Sequence, residues 1–274
     1  MPPRIHHLNC GTMCPMCRRL MNGTGGWFES GRMVCHCLLV ESGDQRVLVD
    51  TGFGSADLEA PRERLGGAFL AASRPTLDAD ETAVARLAAL GVAADAVTHI
   101  VPTHLDLDHI GGLSDFAEAQ VHVYAPEHDQ LTDRPRFAPP RIRMAQVAHG
   151  PRWVRHAQAT ETWFGFEAIR PLPGLDLLMV PLVGHSPGHV GVAVHDGRRW
   201  LLHCGDAYFH RGTLDSPRGA PLGVRMFESL VAWSNPTRRA TQDRLRALHR
   251  DHGDEVTLFC AHDPVELERM QRGA

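Results

Sequence analysis

Apolar residues recur along the chain in short runs of strand length, separated by glycines and polar turns. The runs VCHCLLV (34–40) and RVLVD (46–50) flank the polar segment ESGDQ, which predicts a β-hairpin whose second strand ends at Asp50. Further strands are predicted by the apolar runs at 97–101, 120–124, 177–182, 190–195, 199–204 and 255–260.

Two segments show a helical period instead. In LDADETAVARLAALG, Asp78 and Glu81 have the spacing of a capping box, and Val84 and Leu87 fall on one face together with the leucine before Gly91. Gly91 is a typical stop signal for such a helix. The segment TRRATQDRLRALHR (237–250) predicts a second helix.

Strands are mixed with helices in both halves of the chain, and some strands are joined by hairpins. This order predicts an α/β (α+β) fold of packed mixed sheets covered by helices. The polar segment 132–160 is expected to be a long loop or insertion, because Pro135, Pro139, Pro140 and Pro151 interrupt any regular period. We find no tandem repeat or linker, and therefore expect a single domain over residues 1–274.

The composition is that of an ordinary globular protein, with 43% hydrophobic and 22% charged residues and a net charge of −4. No run is as long and apolar as a membrane span, so we expect no membrane partner. Basic residues are scattered, which argues against nucleic-acid binding. The opening MPPRIHHLNCG lacks the features of a secretory signal, which favours a cytoplasmic location. A homodimer is a candidate assembly that the sequence does not decide.

Cysteines are concentrated near the start of the chain. Five of the seven lie there: Cys10, Cys14, Cys17, Cys35 and Cys37. Together with His6 or His7 they could hold a structural zinc ion, but the spacing fits no full four-ligand pattern. Free or buried thiols are the favoured interpretation in a reducing compartment.

Acidic and imidazole side chains follow four of the predicted strands within a few residues. His104, His185, Asp206 and His262 each come shortly after an apolar run. Side chains at strand ends tend to meet in one pocket of a layered α/β protein, so this recurrence predicts a shared site. A lone histidine elsewhere, such as His99 or His122, is more often a packing or surface residue.

The segment THLDLDHIGG (103–112) has the highest density of such groups. If residues 104–108 are extended, His104, Asp106 and Asp108 share a side while the intervening leucines point into the core. Burying three carboxylates, including Asp206, beside imidazoles would cost several kcal/mol per ion unless the charge is neutralised. Divalent cations would neutralise it, and the alternative is a solvated acidic loop with a chance pair of histidines.

These motifs in this order, with LVDTG upstream and VGHSPGH, CGDAY and CAHD downstream, resemble the metallo-β-lactamase superfamily over about residues 34–263. The resemblance implies a four-layer αββα sandwich, two mixed β-sheets flanked by helices, with residues 1–33 as a cysteine-containing N-terminal extension. It implies one metal bound by His104, Asp106 and His185, another bound by Asp108, His109 and His262, and Asp206 as a bridge. Asp50 would lie behind these ligands and orient a ligand histidine, and His189 is expected either behind the ligands or in a packing role.

One position departs from the family pattern. Where the superfamily usually has a second histidine, this chain has Asp106, so that its motif is H-x-D-x-D-H. A carboxylate oxygen shifts metal preference toward manganese or iron, although zinc stays the first choice. Flavodiiron proteins also place a carboxylate there, which leaves a diiron redox protein as an alternative.

The resemblance implies a dinuclear hydrolase that uses a metal-bridging hydroxide on a small-molecule lactone or ester. Asp108 would move a proton, and Asp206 would hold both metals. Thioester, β-lactam or phosphoester hydrolysis stays open, as does a binding protein without activity. The expected substrate contacts are Tyr208, Phe209, Arg211 and Arg225, with Arg218 in the same segment.

Overall fold

The computed structural model describes residues 2–132 and 141–273. Pro135, Pro139 and Pro140, which supported the prediction of a long loop, lie outside these ranges. Within the described ranges, no helix has the length and apolar character that a bilayer-crossing segment needs.

The strands are β1 (Arg4–Met13), β2 (Met33–Ser42), β3 (Gln45–Val49), β4 (His99–Val101), β5 (Gln120–Tyr124), β6 (Arg152–His156), β7 (Glu161–Trp163), β8 (Phe166–Ala168), β9 (Leu177–Pro181), β10 (Val190–His195), β11 (Trp200–His203) and β12 (Val256–Phe259). The α-helices are α1 (Arg18–Asn22), α2 (Ser55–Glu59), α3 (Pro61–Arg64), α4 (Gly67–Ser73), α5 (Ala83–Ala89), α6 (Leu107–Ile110), α7 (Ala125–His128), α8 (Met144–Val147), α9 (Gly212–Asp215), α10 (Leu222–Val231), α11 (Asn235–Asp251) and α12 (Pro264–Gly273). Short 3₁₀ turns connect several of these elements.

The strands form two mixed sheets. Sheet 1 has the order β1-β2-β3-β4-β5-β6, in which β1, β2 and β3 pair antiparallel and the remaining neighbours pair parallel. Sheet 2 has the order β12-β11-β10-β9, in which only β11 and β12 are parallel. The strands β7 and β8 form a separate hairpin.

Side-chain alternation along the strands shows how the layers stack. Leu38 and Val40 of β2 share a hydrophobic cluster with Met179 of β9, so these faces of the two sheets pack against each other. The residue between them, Leu39, belongs to a different cluster that contains Leu87 of α5. Helix α5 therefore covers the outer face of sheet 1.

The outer face of sheet 2 is covered in the same way. Leu178 of β9 and Leu202 of β11 pack with Leu245 and Leu248 of α11. The order of layers is therefore helix, sheet, sheet, helix, and the predicted αββα sandwich is confirmed.

The sequence misplaced the start of the first predicted helix. Asp78 caps only a 3₁₀ turn at Ala79–Glu81, and α5 begins one turn later with Thr82 as its N-cap, so the capping box does not form. The Glu81 carboxylate instead accepts hydrogen bonds from Asn9 Nδ2 at 2.9 Å and Thr12 Oγ1 at 2.8 Å, which attach this turn to β1.

The segments expected to be irregular also contain regular structure. Strand β1 pairs along β2, so residues 4–13 form part of sheet 1 and not an extension outside it. The segment 132–160 contains helix α8 and strand β6, which pairs with β5. The single-domain organisation of residues 1–274 stays a prediction.

Candidate metal centre

Four strands deliver ligand-type side chains to one end of the sandwich. His104 follows β4, His185 follows β9, Asp206 follows β11 and His262 follows β12, each within four residues of the strand end. All four side chains are almost completely buried. Because hydrogen-bonded strands fix these starting points, the short loops bring the side chains together.

The sequence analysis considered an extended conformation over residues 104–108, but the structure has a helical turn that begins at Leu107. Asp106 is the N-cap of α6, so that Asp108 and His109 lie on a helical turn while His104 precedes it. Leu105 and Leu107 are buried, as the alternation predicted. The turn redirects the chain within two residues, which divides the motif between two clusters of ligands.

The structure gathers these residues into two groups whose ligand atoms lie within 4.8 Å of one another. The His104 group consists of His104, Asp106, His185 and Asp206. The His109 group consists of Asp108, His109 and His262. Every side chain that the sequence predicted as a ligand is therefore at this centre.

Asp206 lies between the two groups. Its Oδ2 is 3.3 Å from His185 Nε2 and 3.6 Å from His104 Nε2. Its Oδ1 is 2.9 Å from His262 Nε2 and 3.3 Å from His109 Nε2. Each oxygen thus faces one group, which is the arrangement that a bridging carboxylate needs.

The donor set fits divalent cations. Among the described residues, His104 Nε2, His109 Nε2 and Asp206 Oδ1 are buried and make no hydrogen bond of acceptable geometry, although Asp206 Oδ1 lies 2.9 Å from His262 Nε2. Buried polar atoms without partners are rare in folded proteins, and they are costly unless an ion or water satisfies them. Imidazole nitrogens and carboxylate oxygens are the ligands that zinc, manganese and iron use.

The electrostatics of the centre are those of mutually attracting opposite charges. Burial raises the pKa of Asp206, but attraction by His262 and His109 outweighs it and holds this pKa well below the usual range. Burial lowers the pKa of His109, but Asp206 and Asp50 outweigh it and raise this pKa well above its ordinary value. The same competition raises the pKa of His262. Protons therefore balance the carboxylates when no other cation does.

Asp50 supports His109 from behind. Its Oδ2 accepts a hydrogen bond from His109 Nδ1 at 2.8 Å, and its Oδ1 accepts one from the backbone N–H of Thr103 at 2.7 Å. Because Nδ1 keeps its proton in this hydrogen bond, Nε2 is the nitrogen of His109 that can lose its proton and bind a cation. Asp50 therefore lies directly behind His109.

His189 lies behind Asp206. Its Nδ1 donates to the carbonyl of Leu182 at 3.1 Å, and its Nε2 accepts from the backbone N–H of Asp206 at 2.9 Å. Burial holds the pKa of His189 well below its ordinary value, so the ring is neutral and can accept at Nε2. His189 thus fixes the backbone of Asp206.

Two residues at the centre were missed by sequence reasoning. The Glu127 carboxylate accepts from Leu105 N at 3.0 Å and from Ser186 Oγ at 2.6 Å, which joins the loops that carry His104 and His185. Glu127 follows β5, so the strand-end argument could have found it. Arg141 binds both oxygens of Asp106, and it follows a segment in which no pattern marks a functional residue.

The predicted substrate residues have different surroundings. Tyr208 is fully buried and its hydroxyl donates to Glu266 Oε1 at 3.2 Å, so the expectation that Tyr208 contacts a substrate was wrong. Phe209 stacks on His262 with ring centroids 5.0 Å apart and thus forms a wall of the centre. Arg211 is paired with Asp263 at 2.9 Å. Arg225 lies half-buried on α10, and the Arg218 side chain is exposed.

All seven cysteines are free thiols, and Cys10, Cys35 and Cys37 are buried. In the described part of the chain, the groups of side chains arranged for metal binding consist only of histidine and aspartate.

Comparisons with known proteins identify the family of this chain. The family model described as "Metallo-beta-lactamase superfamily" matches residues 30–262. The chain is 43% identical to the probable metallo-hydrolase Rv2300c of Mycobacterium tuberculosis, over 99% of this chain and 83% of that protein. It is 27% identical to the N-acyl homoserine lactonase AttM of Agrobacterium fabrum, over 95% of this chain and 93% of that protein.

Solved structures show the same fold. An N-acyl homoserine lactone hydrolase with the product N-hexanoyl-L-homoserine at its catalytic metal center superposes with a TM-score of 0.67 at 18% identity, covering 98% of this chain and 97% of that one. AidC, a dizinc quorum-quenching lactonase, superposes with a TM-score of 0.64 at 17% identity, covering 96% of this chain and 88% of that one.

Proposed function

Because this chain belongs to the metallo-beta-lactamase superfamily, we propose that it is a dinuclear metal-dependent hydrolase of small-molecule lactones or esters. Metal-dependent hydrolysis follows from the family and its relatives. The observation that carries the dinuclear proposal is the position of Asp206, with one oxygen toward His185 and the other toward His262.

We propose that one cation is held by His104, Asp106 and His185 and the other by Asp108, His109 and His262, with Asp206 shared. Zinc is the first candidate, because four imidazoles with carboxylates suit it and because a structural relative is described as dizinc. Manganese and iron are the alternatives, since Asp106 adds an oxygen donor. Bound divalent cations would lower the pKa of water toward neutrality and polarise a carbonyl group.

The side chains of the centre would transfer the proton, hold the ligands in place and exclude water. Burial raises the pKa of Asp108, and its Oδ2 lies 3.6 Å from His262 Nε2. This carboxylate is therefore suited to take the proton released during attack and to return it to the leaving alcohol. His189 and Asp50 hold Asp206 and His109 in place, and the ring of Phe209 keeps water from one side of His262.

Lactones and esters are preferred as substrates because two relatives along most of the chain are lactone hydrolases. Thioesters, β-lactams and phosphoesters use the same chemistry and stay as alternatives. The diiron redox alternative depended on Asp106 as a metal ligand. Both of its oxygens are engaged by Arg141, which makes Asp106 a weaker reason to prefer iron.

The test is a substrate panel on protein stripped of metal and reloaded with Zn²⁺, Mn²⁺ or Fe²⁺. We expect lactone or ester hydrolysis that is abolished by stripping and by Asp108→Asn, and that persists in the control Asp115→Asn, whose carboxylate bonds to Ser55. Turnover confined to thioesters, β-lactams or phosphoesters would overturn the substrate class. Oxygen consumption by iron-loaded protein without hydrolysis would overturn the reaction itself.

A homodimer and a cytoplasmic location stay predictions. Light scattering after gel filtration would test the dimer, which should have twice the chain mass of 30.2 kDa. A monomer mass would contradict the assembly but not the proposed reaction.

A further inference from the structure

Arg141 is anchored against the His104 group by three of its nitrogens. Nε donates to Asp106 Oδ1 at 2.8 Å, and Nη2 donates to Asp106 Oδ2 at 2.6 Å, which makes a two-pronged ion pair. Nη1 donates to the carbonyls of His185 at 2.6 Å and Val231 at 2.9 Å. The side chain is only 23% exposed, so the pair is poorly screened by solvent.

The same guanidinium also contacts a ligand nitrogen. Nη2 of Arg141 lies within hydrogen-bond distance of His185 Nε2, the nitrogen that faces Asp206 Oδ2 at 3.3 Å. An imidazole nitrogen has one lone pair, which either accepts this hydrogen bond or binds a metal. Arg141 and a cation therefore compete for His185, and they also compete for the oxygens of Asp106.

The two groups are otherwise matched in their donors. Each offers two imidazoles, one carboxylate of its own and one oxygen of Asp206. The His104 group carries the positive charge of Arg141 on its own carboxylate. Among the described ion pairs, Asp108 of the His109 group has only His262 as a partner. His109 is further supported by the Asp50 carboxylate, whereas His104 Nδ1 contacts the neutral hydroxyl of Thr103 at 3.0 Å.

From this asymmetry we infer that Arg141 is an internal competitor for the cation of the His104 group, so that the His109 group fills first and more tightly. Cations repel the guanidinium, and they must also displace it from His185 before that ring can coordinate. Removing Arg141 should strengthen cation binding through both effects. It frees the ligand atoms of His185 and Asp106, and it leaves the negative charge of Asp106 without a paired cation. The inference rests on the proposed function only in assuming that both groups bind divalent cations.

Calorimetric titration of metal-free protein with Zn²⁺ and with Co²⁺ tests this order. Wild type should bind two ions with affinities at least ~10-fold apart. Arg141→Gln should strengthen the weaker binding step by roughly 10-fold or more, because residues that contact metal ligands change metal affinity on this scale. Arg141→Lys keeps the positive charge but cannot make the two-pronged contact with Asp106. The difference between its two metal affinities should therefore lie between those of wild type and Arg141→Gln. Arg155→Gln, at an arginine paired with Asp129 away from the centre, is the matched control and should match wild type.

The visible spectrum of the first equivalent of Co²⁺ identifies the group that fills first without depending on any arginine variant or on activity. Asp108→Asn should change this spectrum, and Asp106→Asn should leave it as in wild type. The reverse pattern overturns the inference, as do two equal sites in wild type or an unchanged weaker step in folded Arg141→Gln. Absence of any divalent binding would defeat the proposed function as well, whereas unequal sites without hydrolysis would defeat the proposed function alone.

Discussion

Asp50→Asn tests whether the residue that supports His109 from behind determines the metal affinity of the centre. Asp50 has a φ of 57°, a left-handed conformation that asparagine also tolerates, so the backbone should keep its path. The side chain accepts from Thr103 N at 2.7 Å, Thr103 Oγ1 at 2.9 Å and His109 Nδ1 at 2.8 Å. An amide supplies only one oxygen, and the backbone N–H of Thr103 requires it.

The amide NH₂ must then face His109 Nδ1. Because NH₂ is a donor, His109 would have to accept at Nδ1 and carry its proton on Nε2, the nitrogen that points to Asp206. We expect metal affinity to fall by roughly 10- to 100-fold, which corresponds to about 1.4 to 2.8 kcal/mol. The free energy of unfolding of metal-free protein should fall by about 1.5 to 3 kcal/mol, since a buried charge-assisted hydrogen bond is lost.

Metal titration and urea denaturation of metal-free protein measure these two effects separately. Asp115→Asn is the matched control, because Asp115 accepts from Ser55 N at 3.0 Å and Ser55 Oγ at 3.2 Å. It should lose stability without losing metal affinity. Wild-type metal affinity in folded Asp50→Asn would refute the argument that Asp50 sets the tautomer of His109.

The remaining predictions concern the bridging role of Asp206, the release of protons on metal binding, and the role of Tyr208. Asp206→Ala should lose at least one of two bound metals by elemental analysis, and full two-site binding would rule out a bridge. Since His109 and His262 have raised pKa values in metal-free protein, binding near neutral pH should release protons and strengthen as pH rises through those values. Calorimetric enthalpies that do not vary with the ionisation enthalpy of the buffer would contradict this. Tyr208→Phe should keep kcat/KM and lose about 1 kcal/mol of stability, because the hydrogen bond that its hydroxyl donates goes to the Glu266 carboxylate.

Strand positions and strand-end ligands could be predicted because both depend on local patterns. The run at 190–195 forms β10 over the same residues, and the run at 120–124 forms β5. His185 and His262 were found by their distance from such runs, although the sequence separates them widely. The position of one strand end relative to another follows from the fold class once the runs are known.

The errors arose where a distant contact overrides a local preference. Glu81 has the spacing of a capping residue, yet its carboxylate bonds to Asn9 and Thr12 of β1, and the helix starts later. β1 itself was missed because its residues alternate weakly and include two adjacent histidines, His6 and His7. Its pairing with β2 supplies the stability that its own pattern does not indicate.

The role of Arg141 could not be predicted by considering each metal ligand separately. From the sequence, Asp106 is a substitution of one metal donor for another, and its consequence is a change in metal preference. In the structure, Asp106 and Arg141 form a pair across 35 positions of sequence, so the carboxylate adds a negative charge and the arginine removes it again. The Asp106–Arg141 pair together therefore carries the same net charge as a single neutral histidine would carry. What changes is the presence of a fixed cation beside His185, and that determines which metal site fills first.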